Sequence, residues 1–180
     1  MTEYRRPHAP GATWFFTVNL LQRRANSLLV DRIDDLRDSI RHVKATWPFR
    51  IDAMVVLPEH LHAIWTLPPG DKSLGLRWGL IKSRFSRAIP TGEFLRESRV
   101  SRGERGIWQR RFWEHQIRDE ADLAAHIDYI HYNPVKHGCV ARVRDWQHST
   151  FHRYVAKGWY GIDWGSSPNE NQVYSGEQAV

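Results

Sequence analysis

The stretch from Phe49 to Leu67 constrains the fold more than any other part of the sequence. Two runs rich in apolar and β-branched residues, Phe49 to Leu57 and His60 to Leu67, are separated only by Pro58-Glu59. That spacing predicts a β-hairpin. Side chains on a strand alternate faces, so His60 and His62 share one face while Leu61 and Ala63 share the other. Two imidazoles on one face are able to chelate a metal ion. A His-x-His on a strand also occurs without one, so the pair needs a second element to give it meaning.

Helical periodicity flanks the hairpin. Asp31 to Ala45 carries Ile33, Leu36, Ile40 and Val43 at helical spacing, and Ser73 to Ile89 carries Leu74, Trp78, Ile81 and Phe85. Thr13 to Leu20 reads as a first strand and Ile107 to Ile117 as a last one. The Arg-rich stretch from Glu93 to Gly106, punctuated by Gly and Ser, reads as a mobile loop. The resulting order β-α-β-β-α-β predicts a ferredoxin-like α+β fold, an antiparallel sheet with helices on one face. A third helix, capped by Asp119 and stopped at Gly138, is added to that plan. The polar segment at the C-terminus lacks periodicity. The expected organisation is one domain over residues 1–157 and a flexible tail over 158–180.

The added helix carries the second set of chemical groups. Leu123, Ile127 and Ile130 form its apolar stripe, and Tyr129 and Asn133, four residues apart, project together from an adjoining edge. Pro134 removes one backbone hydrogen bond and is expected to loosen the helix just after Asn133. A metal held by His60, His62 and the Asn133 carbonyl oxygen would suit Mn²⁺, or Mg²⁺ with water and phosphate completing an octahedron. Such an ion polarises a phosphodiester, and Tyr129 stands where a nucleophile would attack the phosphorus. Taken singly, each residue also has an ordinary reading: a strand histidine, a packing tyrosine, a turn asparagine.

Net charge at neutral pH is +6, which favours a polyanionic partner such as nucleic acid. The lone cysteine, Cys139, excludes an internal disulfide and a multi-cysteine zinc site. No apolar run approaches the length of about 20 residues that a membrane helix needs. No signal-peptide pattern opens the chain, so a cytoplasmic protein without a membrane partner is expected.

Two stretches together resemble a known family. Pro58-Glu-His-Leu-His62 is similar to the His-hydrophobic-His motif of the HUH single-strand nucleases. Asp128-Tyr-Ile-His-Tyr-Asn-Pro-Val-Lys-His-Gly138 resembles the tyrosine helix of the REP-associated tyrosine transposases. Glu3-Tyr-Arg-Arg6, Gly11 to Leu20, Arg111-Phe-Trp-Glu-His115 and Asp145 to His152 also look like that family. The resemblance implies His60, His62 and Asn133 as metal ligands and Tyr129 as nucleophile; Tyr132 does not match the motif. It implies divalent-metal-dependent cleavage and joining of single-stranded DNA through a 5′-phosphotyrosine intermediate. It further implies recognition of repetitive extragenic palindrome (REP) hairpins by a monomeric, nucleoid-associated bacterial protein. A hairpin-binding protein that has lost useful catalysis is the alternative.

Basic residues suggest where DNA would lie. Lys72 to Glu93 holds Arg77, Lys82, Arg84 and Arg87 with no acid before Glu93, a set able to track phosphates. Arg96, Arg99, Arg102, Arg105, Arg110, Arg111 and Arg118 suit a hairpin stem or foot. Trp113, Trp146 and Phe151 are candidates for stacking on unpaired bases. Glu114 and His115 are candidates for proton transfer or DNA contact, with packing as the equal alternative. His126, one turn before Tyr129, either tunes it or is an ordinary helix residue.

Overall fold

A computed structural model describes residues 10–93, 95 and 97–166. In chain order the elements are β1 (Thr13–Asn19), α1 (Leu28–Asp31), α2 (Ile33–Thr46), β2 (Arg50–Val56), β3 (His60–Thr66), α3 (Leu74–Ala88), α4 (Glu97–Val100), β4 (Trp113–Gln116), α5 (Glu120–Lys136), a 3-10 turn (Val143–Asp145) and α6 (Phe151–Ala156). The strands form one antiparallel sheet in the order β2-β3-β1-β4. That order, with β1 and β3 central, is the ferredoxin-like arrangement expected from the pattern of elements.

Alternation divides the strand residues between two cores. Trp14, Phe16, Val18, Leu61, Ala63 and Trp65 pack with Leu36, Ile40 and Val43 of α2 and Trp78, Ile81 and Phe85 of α3. Trp65 and Trp78 stack at 4.1 Å and 16°, a contact worth about 0.5–1.5 kcal/mol beyond the area it buries. The opposite face presents Phe15, Ala53, Val55 and Ile64, and α5 covers it with Ile130, Leu123 and Ile127. The added helix therefore lies across the sheet from α2 and α3, on the face to which His60 and His62 belong.

Four expectations change. β4 is only Trp113–Gln116. Trp108 bridges Leu20 and Trp113 pairs with Thr17, so four residues, 109–112, face only two, 18 and 19, and the excess of two must loop out. Pro134 does not loosen α5, which continues to Lys136 and ends at Gly138 with φ +68°. There the Gly138 and Cys139 N–H groups donate to the Val135 and Pro134 carbonyls. The stretch after α3 is tied down rather than loose. Arg105 pairs with Glu93 and donates to the Ser86, Ile89 and Pro90 carbonyls, and α4 buries Arg99.

Where a tail was expected from residue 158, residues 158–166 pack on α5. Tyr160 donates to the Asp128 carboxylate, and Trp164 lies against Tyr132 and Phe151. A Cβ on Gly165 would stand 2.9 Å from Val143 Cγ2, so the chain approaches too closely there for any larger residue. Residues 167–180, Arg96 and the Glu3–Arg6 motif lie outside the described residues.

Candidate active site

β3 supplies the histidine pair. His60 and His62 are 2% and 1% exposed, with ring centroids 5.0 Å apart. In register, His62 stands opposite Thr17 of β1, and Thr17 Oγ1 lies 2.9 Å from His62 Nδ1. His60 Nδ1 donates to Glu59 Oε1 at 3.0 Å. Oxygen partners at Nδ1 fix the ring orientation and leave the lone pair at Nε2, the usual support around metal-binding imidazoles. His62 Nε2 is buried and meets no hydrogen-bond partner among the described residues. Burial, followed by the electrostatic influence of the neighbouring His60, His137 and Lys136, holds the His62 imidazole well below its usual range. It therefore stays neutral, the form a metal requires.

α5 faces this pair with an i, i+4, i+8 stripe of Tyr129, Asn133 and His137. The Tyr129 ring lies 5.1 Å from His62, and the His137 ring 5.0 Å from His60. Asn133, midway between them, is thereby set opposite the pair. It is fully buried, and neither Oδ1 nor Nδ2 finds a hydrogen-bond partner among the described residues. A buried amide in that state costs about 1–3 kcal/mol, and a cation would satisfy its oxygen. Asn19, cross-strand partner of His60, adds a buried unpartnered Oδ1 on the same sheet face. Imidazole nitrogens with amide oxygens make a donor set that fits a divalent ion.

Tyr129 is half-buried. Its ring meets Phe15 edge-on at 5.9 Å, and the Lys136 ammonium sits 4.8 Å from its centroid. Phe15 also stacks on His62 at 5.5 Å and 21° and touches Trp113 and His126. One aromatic side chain thus buttresses both the tyrosine and a candidate ligand. Sequence reasoning missed Thr17, Glu59, Asn19 and His137. Glu59, adjacent to His60, and His137, four residues after Asn133, were the two with a local signal.

The basic candidates divide. Arg77 is fully buried and bound to Asp71 and to the Trp47, Pro48 and Ser73 carbonyls, so it is not available to phosphate. Phe151 is fully buried and cannot stack on a base. Trp146 donates to the Val56 carbonyl. Glu114 is buried on the α2–α3 side beside Phe16, away from Tyr129. Arg84, Arg87, Arg111 and Arg118 are exposed, as is Trp113 at 52%. Lys82 donates to the Gln109 carbonyl, and Arg110 pairs with Glu104. Lys82, Arg87, Arg99, Arg105, Arg110 and Trp108 line a cleft of about 570 Å³. His115 is turned to the α5 face and bound to Asp122.

No helix of the described residues is long and apolar enough to cross a membrane. No family model matches the sequence. A REP-associated tyrosine transposase of Escherichia coli K12 is 52% identical over 164 residues, covering 91% of each chain. A relative in Haemophilus influenzae is 44% identical over 170 residues, covering 94% of this chain and 96% of its own. A solved structure of a REP-associated tyrosine transposase bound to a REP hairpin superposes with a TM-score of 0.81 at 47% identity, covering 100% of this chain and 99% of that one.

Proposed function

The chain belongs to the REP-associated tyrosine transposases, and from that membership we propose that it cleaves and rejoins single-stranded DNA at REP hairpins through Tyr129. The observation that carries this reading is the stripe Tyr129-Asn133-His137 facing His60 and His62 across one buried site. His60, His62 and the Asn133 carbonyl oxygen would hold Mg²⁺ or Mn²⁺. When bound, the ion would polarise the scissile phosphate and offset the charge that develops on it.

The protein's own groups account for the rest. Phe15 and His62 fix the Tyr129 ring, so that the phenol and one phosphate meet without a further search for orientation. The phenol oxygen attacks phosphorus, the bond from phosphorus to the 3′ oxygen breaks, and the leaving oxygen takes up a proton. The products are a 5′-phosphotyrosine and a free 3′ hydroxyl, and attack by a 3′ hydroxyl on the phosphotyrosine reverses the step. The Lys136 ammonium over the ring offsets the negative charge that forms as the phenol loses its proton. Arg84, Arg87 and Arg111 and the cleft beside α3 offer phosphate contacts to the hairpin.

Wild-type protein incubated with Mn²⁺ and a single strand carrying a REP hairpin should form a denaturant-resistant protein–DNA adduct. Tyr129→Phe should abolish both adduct and cleavage while hairpin binding stays within about twofold. Cleavage undiminished in Tyr129→Phe would overturn the nucleophile assignment. Absence of adduct and cleavage in the wild type would favour a hairpin-binding protein without catalysis.

A further inference from the structure

Phe15 touches two histidine clusters, and the reaction above uses one. The other consists of His115 on β4 with Asp122 and His126 on α5. A ligand atom from each lies within 4.8 Å of the others. His115 Nε2 is 2.9 Å from Asp122 Oδ2, and His126 Nδ1 is 3.0 Å from Asp122 Oδ1. The two imidazole rings stack at 4.8 Å with their planes 13° apart. The carboxylate therefore stands between two imidazole nitrogens. The Asp122 side chain is 7% exposed, while His115 and His126 are 27% and 22% exposed, so an ion could reach the group from solvent.

The placement of these residues follows from the fold. Asp122 and His126 are one turn apart on α5, the spacing at which two helix side chains meet one ligand. His115 is turned toward them because Phe15, its partner in register, faces α5. In the metal-free chain His115 is hydrogen-bonded to the Asp122 carboxylate, while His126 Nδ1 lies 2.8 Å from the Asp122 backbone carbonyl oxygen as well as 3.0 Å from Oδ1. Arg118 completes that arrangement through its backbone N–H, 2.9 Å from Asp122 Oδ2, and its guanidinium at 3.3 Å.

We propose that His115, Asp122 and His126 form a second metal site, selective for a Zn²⁺-class ion over Mg²⁺, which clamps the edge strand β4 to the helix that bears Tyr129. Two imidazoles and one carboxylate are a three-ligand set favoured by Zn²⁺, Co²⁺ and Ni²⁺, with water in the fourth position. On binding, a neutral ring whose coordinating nitrogen carries the proton shifts it to its other nitrogen, an imidazolium releases one proton to solvent, and the ion takes the place of the contacts to Asp122. The site is independent of the transposition reading, since it needs no DNA and none of His60, His62 or Asn133.

The test is cobalt titration of the full chain carrying His60→Ala and His62→Ala, followed by visible absorption. One equivalent of Co²⁺ should bind with tetrahedral-type bands, and excess Mg²⁺ should not displace it. Adding His126→Asn or His115→Ala should weaken binding at least tenfold. If the double variant does not fold, the same comparison in the wild-type background should show the loss of one bound equivalent on His126→Asn. Zn²⁺ should also raise Tm in the parent and not in the His126→Asn protein. Failure of the double variant to bind Co²⁺ while folded, or Co²⁺ binding unchanged by His126→Asn in either background, would overturn the proposal.

Discussion

Asn133 shows what the site costs the fold. Its amide is fully buried with both polar atoms unpartnered among the described residues, whereas buried polar groups are nearly always hydrogen-bonded. If the amide is kept for a metal, an apolar residue of similar shape should be better for the empty protein. Asn133→Leu is expected to stabilise the metal-free chain by about 1–2 kcal/mol, measured as a shift in the urea midpoint. It should also abolish Mn²⁺-dependent cleavage. Marked destabilisation with cleavage retained would show that the amide has a structural partner instead. At this scale the sequence was informative wherever spacing alone determines proximity. Period-two alternation paired His60 with His62, and a helical turn paired Tyr129 with Asn133. Thr17 and Asn19 were not legible because their neighbours come from strand register, which local spacing does not encode; His137, one turn beyond Asn133, carried the same spacing signal and was passed over.

α5 is the element on which most depends, and its two sides differ. One side carries Tyr129 and Asn133 to the sheet. The other carries His131, fully buried among Phe151, Tyr154, Tyr160 and Trp164, with Nε2 3.1 Å from Thr150 Oγ1. Burial first, then the charges of Arg153 and His152, lower its pKa to about 3. An unfolded histidine titrates near about 6.5. Between those values the unfolded chain holds a proton that the folded chain does not. Stability is therefore full above the unfolded value and falls as pH drops toward 3, at about 1.4 kcal/mol per pH unit from this group. His131→Gln should flatten the dependence of the urea midpoint between pH 7 and 5 by about one proton; identical slopes would refute the assignment. The helix itself was plain from Asp119 to Gly138, and Asp119 does accept from the Asp122 N–H. The packing of α6 and residues 158–166 against it was not, because that segment has no periodicity and docks through scattered aromatic side chains. β4 was misread for a related reason. Its aromatic residues resemble a strand throughout, and only pairing with β1 reveals the two extra residues that must loop out.

Across the whole molecule the excess of +6 is not all available to a partner. Arg77 is consumed by Asp71, Arg105 by Glu93 and Arg110 by Glu104. Arg84 and Arg87 stand exposed on α3, where they could displace the counterions condensed on a hairpin backbone. Each phosphate contact contributes about 0.7–0.9 to the slope of log affinity against log salt concentration. The double change Arg84→Ala, Arg87→Ala should therefore lower that slope by about 1.4–1.8 and weaken hairpin binding most at low salt. Arg77→Met is the matched control on the same helix. It removes a positive charge as well, but one already spent inside the protein, and breaking that buried pair should cost on the order of 3 kcal/mol of stability. Its salt slope should stay at the wild-type value under conditions where the protein remains folded. A fall in slope for Arg77→Met, or none for the double variant, would mean that the DNA path does not follow the exposed side of α3. The basic set on this helix was visible in the sequence; which members face outward was decided by Asp71 and the carbonyls of Trp47 and Pro48, a contact made only when the chain before β2 folds back onto α3.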